Sequence, residues 1–194
     1  MRRAASPPTG LAVWFTGLSG AGKTTLCRAL EPELRSIGYP VQILDGDEIR
    51  QHLSRDLGFS KADRDENVRR IGFVTEMLVR QNVIVLVAAI SPYRETRLEV
   101  RERIGSFVEV YVNASLATCI ERDPKRLYAR ALLGELRYMT GIEDPYEPPL
   151  QPDLECNTDE ESCEESKAKV LAAIRHVQQG RGFTLWSRSR RAST

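Results

Sequence analysis

Residues Trp14 to Thr25 read WFTGLSGAGKTT, and they join an apolar run directly to a GxxxxGK(S/T) motif. Glycines at positions 17, 20 and 22 allow the backbone to bend close to a polyphosphate, while Lys23 and the Thr24 hydroxyl can reach its outer phosphates and a magnesium ion. The flanking runs AVWF and LCRAL predict a strand before this loop and a helix after it, which a chance glycine-rich turn would lack. Because the free amides and positive dipole end of that helix would face the same anion, the stretch predicts a site for a nucleoside triphosphate.

Strands and helices alternate along the rest of the chain. The runs VQILD, VIVLVAAI and FVEVYV are almost continuously hydrophobic, as is typical of parallel strands that are buried on both faces. Apolar residues at helical spacing separate these strands: Leu26, Leu30, Leu34 and Ile37; Val68, Ile71, Val74 and Leu78; Val170, Ile174 and Val177. The last helix is predicted to begin at Thr158, with Glu161 completing a capping box. The alternation predicts an α/β fold, a doubly wound sandwich with a parallel sheet between helices.

Length and composition indicate one folded domain. The 194 residues are 41% hydrophobic, which suits a single core. We expect a flexible leader over residues 1–10, the domain over 11–180 and a basic flexible tail over 181–194. The proline-rich residues 123–153 are predicted to form a partly helical lid beside the phosphates, although an ordinary surface excursion is an alternative.

Charge and cysteine patterns limit the partners and the compartment. The 28 Lys and Arg balance 27 Asp and Glu, so we expect no nucleic-acid or membrane partner, although the arginine-rich tail leaves a nucleic-acid arm as an alternative. No apolar run approaches the roughly 20 residues of a membrane span, and the first residues lack the apolar part of a secretory signal. The four cysteines show no CxxC spacing and are predicted to be free thiols. These features predict a cytoplasmic protein.

Acidic residues follow the VQILD run rather than the central strand. A generic ATPase would end its central strand in an acid that holds magnesium, yet VIVLVAAI is followed by Ser91. Asp45 and Asp47, with Arg50 after them, instead follow the preceding strand, at the sheet edge where ligands of such folds bind. Asp47 can accept the proton of an attacking hydroxyl or hold magnesium through water, and Arg50 can hold a second anion. Alternatively, Asp47 is simply the N-cap of a helix that starts at Glu48.

The segment DLGFSKADRDENVRR mixes charges along a predicted helix. Two acid–arginine pairs stand four residues apart and are predicted to satisfy each other at the surface: Asp65 with Arg69 and Glu66 with Arg70. Arg64 has no such acid, and Asn67 lies one turn away on the same face, so these two can present a cation and an amide to a ligand. Phe59 offers a flat surface for a base, or is a core residue.

Six segments together resemble the adenylylsulfate kinase (APS kinase) family: GLSGAGKTT, DGDEIR, DLGFSKADRDENVRRIG, ISPYR, FVEVYVNASLATCIERDPKRLY and TGIEDPYEPP. The resemblance runs from about Ala12 to Val177. It implies a three-layer sandwich of the P-loop NTPase type. It also implies transfer of the ATP γ-phosphate to the 3′-hydroxyl of adenosine 5′-phosphosulfate (APS), giving PAPS and ADP for sulfate assimilation, with magnesium and a homodimer.

The resemblance assigns roles to matching positions. ATP would be bound by Gly17, Leu18, Ser19, Gly20, Ala21, Gly22, Lys23, Thr24, Thr25 and Arg122. The acceptor would be bound by Asp47, Arg50, Phe59, Arg64, Asn67, Ile90, Ser91, Lys125 and Met139. Lys23, Asp47 and Ser91 would be catalytic, and magnesium would be held by Thr24 and by Asp47 through water.

The Ser91 hydroxyl is predicted to contact a ligand rather than to act as a nucleophile. Some members of this family are described with a phosphoserine intermediate at the Ser91 position, but an apolar strand end offers no base to activate the hydroxyl, so we predict a binding role and direct transfer.

The lid departs from the family pattern at Arg126, Leu132, Leu133, Arg137 and Met139, which stand where glycine, a basic residue, a small residue, lysine and an aromatic residue are expected. Arginine changes the geometry of a cation, and methionine packs on a purine with less defined stacking, so weaker APS stacking is expected.

Two other functions remain as alternatives. A noncatalytic nucleotide-binding regulatory domain would show erosion at Lys23, Thr24 or Asp47, and all three are present. A small-molecule kinase for a sugar or nucleotide would lack the set Phe59, Arg64 and Asn67, which is complete. The sequence therefore favours an APS kinase.

Overall fold

A five-stranded parallel sheet organises the computed structural model, which describes residues 9–180. The strands are β1 (Leu11–Thr16), β2 (Val41–Asp45), β3 (Ile84–Ala88), β4 (Phe107–Asn113) and β5 (Leu154–Asn157), in the spatial order β2-β3-β1-β4-β5. Every neighbouring pair is parallel. The predicted α/β class and its four predicted strands are confirmed. β5, with the sequence LECN, was not predicted, because it is short and only one of its four residues is buried.

Seven helices are present within the described residues, and they cover both faces of the sheet. They are α1 (Lys23–Ser36), α2 (Gly46–His52), α3 (Lys61–Val79), α4 (Arg94–Ile104), α5 (Leu116–Arg122), α6 (Leu127–Leu132) and α7 (Cys163–Gln178). None of them is long and apolar enough to serve as a membrane span. Most of the predicted leader, residues 1–8, and the predicted tail, residues 181–194, lie outside the described residues.

Two apolar cores lie on opposite faces of the sheet, because successive strand side chains point to opposite sides. On one face, Val13 and Phe15 of β1 pack with α1 and α7. On the other face, Trp14 packs with residues of α3 and α4. The predicted stripe on α1 is buried at its three leucines, but Ile37 lies at the C-cap and is half exposed, so including it was wrong.

The predicted start of the last helix was wrong. Ser162 is the N-cap of α7, and Glu165 completes the capping box. Thr158 instead directly follows β5, where its N–H donates to Asn113 O (2.8 Å) and its hydroxyl to Ala21 O (3.0 Å). Both positions carry the S/T-x-x-E pattern, and pairing of β5 with β4 decides which one caps the helix.

The predicted surface pairs on α3 are half correct. Glu66 pairs with Arg70 (3.0 Å) as expected. Asp65, however, is buried against α4 and accepts hydrogen bonds from Thr96 of α4 (2.5 Å) and from Lys61 of α3 itself (2.6 Å). Arg69 pairs with Glu99 of α4 (2.9 Å). Helical spacing within α3 cannot show that α4 supplies nearer partners.

Candidate active site

A pocket of about 550 Å³ opens at the carboxyl ends of the central strands, beneath residues 123–153. This volume suits small-molecule ligands. The predicted site residues that line it are Ser19, Gly20, Ala21, Gly22, Lys23, Thr24, Thr25, Asp47, Arg50, Phe59, Arg64, Asn67, Ile90, Ser91, Arg122, Lys125 and Met139. Gly17 and Leu18 do not line it. The fold therefore brings the predicted donor and acceptor residues to one cavity.

The phosphate loop between β1 and α1 is shaped by its glycines. A side chain at Gly17 would place its Cβ 2.3 Å from Val112 O, and Gly22 caps α1 in the left-handed region (φ 103°). No side chain caps α1, so the amides of its first turn face the loop.

Lys23 is buried at the start of α1. Its ammonium donates to Gly17 O (2.9 Å) and Leu18 O (2.6 Å). Burial, followed by the nearby charge of Lys125, lowers the pKa of Lys23 to about 8. The loop thus holds a cation whose charge is poorly solvated and which an incoming polyphosphate would stabilise.

Nucleotide affinity should therefore fall as the pH rises through about 8. A bound polyphosphate favours the ammonium and raises the Lys23 pKa above about 8, so binding takes up a proton in the window between the two pKa values. The favourable interaction is fully present below about pH 8, and above it the affinity should fall by up to about tenfold per pH unit. Calorimetric titration of ADP at pH 8.5 in buffers of different ionisation enthalpy measures the uptake. Binding without proton uptake, or equal uptake in Lys23→Met, would contradict this assignment.

Asp45 and Asp47 divide the roles that the sequence left open. Asp45 is the N-cap of α2, because its Oδ1 accepts from Asp47 N (2.9 Å), so the alternative with Asp47 as the cap was wrong. Its Oδ2 accepts from the Thr24 hydroxyl (2.7 Å). The Asp47 carboxylate is half exposed and forms an ion pair with Lys125 of the lid. Asp47 therefore lines the pocket with Lys125 as its ionic partner.

The donor atoms near the loop fit magnesium. The Thr24 hydroxyl and the carboxylates of Asp45 and Asp47 are hard oxygen ligands. Within residues 9–180 no group of three or more His, Cys, Asp or Glu residues could by itself hold a metal ion. Magnesium is commonly held by few protein ligands together with water and substrate phosphates, so this sparse set suits it.

Two arginines converge on Phe59 in the part of the pocket wall that carries the predicted acceptor residues. The guanidinium of Arg50 lies 4.7 Å from the ring centroid of Phe59, and that of Arg64 lies 5.6 Å from it. Burial, followed by the charge of Arg64, lowers the pKa of Arg50. Phe59 is 45% exposed, so its interpretation as a core residue was wrong. Two neighbouring cations beside an open aromatic ring suit an anionic ligand that carries a base.

Arg64 does have an acidic partner, contrary to the sequence prediction. Its guanidinium donates to Asp144 Oδ2 (3.2 Å) and Phe59 O (3.0 Å), and it also contacts Tyr138 O. Asp144 lies 80 residues further along the chain, in the predicted lid. Spacing within one helix cannot reveal such a partner.

Two buried oxygen atoms in the pocket wall lack hydrogen-bond partners within the described residues: Asn67 Oδ1 and Thr140 Oγ1. Thr140 is 1% exposed and was missed by the sequence analysis. Its only signal was its position within the TGIEDPYEPP segment. Buried polar atoms are almost always satisfied, so these two point to a ligand that supplies the missing bonds.

Ser91 ends the segment that follows β3. Its backbone is left-handed (φ 46°), and its Oγ accepts a hydrogen bond from Trp14 Nε1 (3.0 Å). Within residues 9–180, no carboxylate or imidazole is hydrogen-bonded to this hydroxyl. The geometry leaves the hydroxyl proton available to a ligand and provides no base for nucleophilic attack.

Residues 123–153 partly cover the pocket. The buried Tyr128 of α6 donates its hydroxyl to Ser19 O (3.0 Å), which ties the segment to the phosphate loop. Arg126, where the family pattern leads us to expect glycine, has a left-handed backbone (φ 53°), a conformation that costs roughly 1–2 kcal/mol for a residue with a side chain. Leu132 and Leu133 are exposed.

Arg122 lies at the end of α5, beside the phosphate loop. It donates to Thr158 Oγ1 (3.1 Å) and to Thr158 O (2.6 Å), and Thr158 in turn contacts Ala21 O. Arg122 thus lines the pocket beside the phosphate loop, next to the first residue after β5.

The chain matches known proteins over most of its length. The family model of adenylylsulphate kinase matches residues 9–157. The adenylyl-sulfate kinase of Synechococcus sp. (strain JA-3-3Ab) is 60% identical over 166 residues, which are 86% of this chain and 94% of that protein. The adenylyl-sulfate kinase of Microcystis aeruginosa is 61% identical over 173 residues, 88% of this chain and 96% of that protein.

A solved structure agrees with these matches. The APS kinase of Mycobacterium tuberculosis, in complex with AMPPNP and APS, superposes with a TM-score of 0.83 at 43% identity, covering 87% of this chain and 99% of that one. A phosphate loop, a second cationic cleft in the same pocket and these matches lead to one conclusion: the chain belongs to the adenylylsulphate kinase family.

Proposed function

We propose that this chain transfers the γ-phosphate of ATP to the ribose 3′-hydroxyl of APS, giving PAPS and ADP. The observation that carries the proposal is one pocket with two anion-binding halves, the glycine loop with Lys23 on one side and the Arg50–Phe59–Arg64 cluster on the other. The relatives named above, adenylyl-sulfate kinases at about 60% identity, support the same acceptor.

In the proposed mechanism, residues of each half have separate tasks. The loop amides and Lys23 stabilise the charge of the transferred phosphoryl group. Asp47 accepts the proton of the acceptor hydroxyl. Arg50 and Arg64 hold the phosphosulfate, and Phe59 stacks on the adenine. Magnesium, held by Thr24 and, through water, by Asp47, would neutralise phosphate charge, with Asp45 orienting the Thr24 hydroxyl.

The remaining pocket residues complete the proposed site. Asn67, Ile90 and Ser91 line the acceptor half, and Arg122 lies where the ATP base would bind. When the lid, residues 123–153, closes and excludes water, Lys125 leaves Asp47 and pairs with the anionic ligands instead.

The decisive assay incubates the protein with ATP, magnesium and APS and quantifies both PAPS and ADP. Equal ADP formation without APS, or with a sugar acceptor in its place, would contradict the proposal. The two alternatives are disfavoured, because Lys23, Thr24 and Asp47 are intact and Phe59, Arg64 and Asn67 line the same pocket.

Ser91→Ala should keep kcat within about threefold of the parent value and raise the KM for APS severalfold. The hydroxyl is a ligand contact without an activating base, and losing one neutral hydrogen bond weakens binding by about 1 kcal/mol. Steady-state kinetics with varied APS measure both constants. An inactive variant that still binds APS would show that Ser91 is the nucleophile.

Met139→Phe should tighten APS binding about three- to tenfold, because an aromatic ring stacks on a purine in a better defined geometry than a thioether does. Met139 lines the pocket and is 6% exposed. The APS dissociation constant is measured by calorimetry, with the thermal midpoint as the control for overpacking. An unchanged dissociation constant in a folded variant would refute the stacking role.

We also propose that residues 11–180 form one catalytic domain of a cytoplasmic homodimer that binds neither nucleic acid nor membrane. The four cysteines are free, and burial raises the pKa of Cys156 to about 11, which suits a reducing compartment. Large apolar side chains are exposed on α3 and α4 at Phe73, Met77 and Leu98, as an association surface requires. Sedimentation analysis of the protein measures the oligomeric state.

A further inference from the structure

Arg97 of α4 is a buried arginine outside the pocket wall. It is 3% exposed and is not among the residues that line the cavity. Its guanidinium contacts three separate segments: Nη1 donates to Ser91 O (2.6 Å), Nη2 to Glu147 O (2.7 Å) and Nε to Glu109 Oε1 (2.8 Å). Arg97 thus joins the end of β3, the end of the lid and β4.

A buried ion pair such as Arg97–Glu109 is weak evidence of a stabilising role. Desolvation offsets most of the Coulomb attraction, and well-packed apolar residues of similar volume are often as stable. Two of the three guanidinium nitrogens of Arg97, Nη1 and Nη2, donate to backbone carbonyls rather than to the carboxylate. The planar guanidinium holds its N–H donors in a rigid arrangement, so it can fix several acceptor groups relative to one another.

The first carbonyl belongs to Ser91, whose left-handed backbone needs support. A non-glycine residue in this region is strained and persists only where its surroundings hold it. Arg97 holds the Ser91 carbonyl while Trp14 holds its hydroxyl. Together these contacts aim the segment that follows β3 into the acceptor half.

The second carbonyl belongs to the end of the lid. Glu147 N donates to Pro92 O (2.9 Å), and the Glu147 carboxylate accepts from Arg94 N (2.9 Å). The ring of Tyr146 lies 5.9 Å from the Arg97 guanidinium, and its hydroxyl bonds the Thr16 hydroxyl (3.0 Å). Residues 146–147 are therefore fixed to the ends of β1 and β3.

We propose that Arg97 is a positioning residue for the acceptor half of the pocket. It fixes Ser91 and the attached end of the lid in one arrangement, so that the acceptor meets a preformed site. The proposal rests on the proposed function for the identity of the acceptor, APS. Replacing Arg97 should therefore lower kcat/KM for the acceptor more than it raises the KM for ATP, because none of the three hydrogen bonds of Arg97 reaches the phosphate loop.

Two variants separate positioning from stability. Arg97→Lys keeps the charge opposite Glu109 but cannot span both carbonyls. The double variant R97M/E109M removes the pair without leaving a buried charge, so it should fold, with a thermal midpoint lowered by the loss of the donors to the Ser91 and Glu147 carbonyls. Arg103→Met is the matched control, because Arg103 also lies on α4 but pairs with Glu76 of α3 (2.5 Å), which keeps its second partner Arg80.

We expect kcat/KM for APS to fall about tenfold or more in both Arg97 variants, since small misplacements of a reacting group are costly. The KM for ATP should stay within about twofold, and Arg103→Met should change neither the KM for ATP nor kcat/KM for APS. A Trp186→Phe background leaves Trp14 as the one tryptophan, and its emission should shift in the Arg97 variants without any substrate.

The proposal would be overturned if the folded double variant kept the parent kcat/KM for APS. It would also be overturned if the Arg97 variants lost as much kcat/KM for ATP as for APS, or if both variants failed to fold. If the parent makes no PAPS from APS, the proposed function fails instead. The Trp14 emission then still tests the positioning role: a shift supports it, and an unchanged spectrum in both variants overturns it.

Discussion

Lys23→Met should lower kcat for PAPS formation about 10³-fold, the scale of removing a preorganised donor to transition-state charge. Lys23 is the buried cation of the phosphate loop, and its ammonium bonds the carbonyls of Gly17 and Leu18. An incoming γ-phosphate replaces those carbonyls as the partner of the ammonium, and the interaction strengthens as charge develops in the transition state. Methionine is unbranched like lysine, is one heavy atom shorter and carries no charge.

The thermal midpoint of Lys23→Met should not fall, because burial already disfavours the ammonium, as its pKa of about 8 shows. PAPS formation at saturating ATP and APS measures the loss. Lys167→Met is the matched control, since Lys167 of α7 pairs with Glu33 and Glu164 outside the pocket wall, and it should stay within about twofold. Retention of more than a tenth of kcat in Lys23→Met would exclude the role given to Lys23.

Asp47→Asn should lower kcat about 10²- to 10³-fold and leave the dissociation constants of ATP and APS within a few-fold. Asp47 is the proposed acceptor of the hydroxyl proton, and an amide cannot take that proton. Helix α2 should be unaffected, because Asp45 rather than Asp47 caps it. The substitution also frees Lys125, so nucleotide binding should strengthen slightly if it changes at all.

Single-turnover measurements separate the chemical step from binding in Asp47→Asn. Glu48→Gln is the matched control, because it removes the adjacent exposed carboxylate on the same turn of α2 and should be nearly silent. An equal loss of kcat in Asp47→Asn and Glu48→Gln would show that the effect comes from the local negative charge rather than from proton transfer to Asp47. Full activity in Asp47→Asn would eliminate it as the proton acceptor.

The donor half of the site was readable from the sequence because its parts adjoin one another in the chain. Strand, loop and helix lie within residues 11–36, and their local geometry follows from glycine freedom and helix periodicity. The lack of an acid after β3 and the acids at the end of β2, Asp45 and Asp47, could likewise be read from neighbouring residues. The error at Thr158 arose because two capping patterns stand four residues apart, and only the pairing of β5 with β4 distinguishes them.

The acceptor half depended on contacts between distant segments. Arg64 looked unpaired within α3, yet it binds Asp144, 80 residues away. The Asp65–Arg69 pair was lost because α4 packs on α3 and offers Thr96 and Glu99. Residue type and spacing left Phe59 open between the core and a ligand contact; the family resemblance favoured the ligand contact, and the exposed ring in the pocket wall agrees with it.

The sequence by itself determined the fold class and the phosphate loop, because periodicity and short motifs are properties of neighbouring residues, and its resemblance to a known family named most of the residues that meet in the pocket. Only the tertiary structure decided how those residues are paired and oriented. The bond from Trp14 to Ser91, the pair of Asp47 with Lys125 and the triple contact of Arg97 each join segments that are distant in the chain. Such contacts form when the sheet brings its strand ends together, and no spacing within one element encodes them.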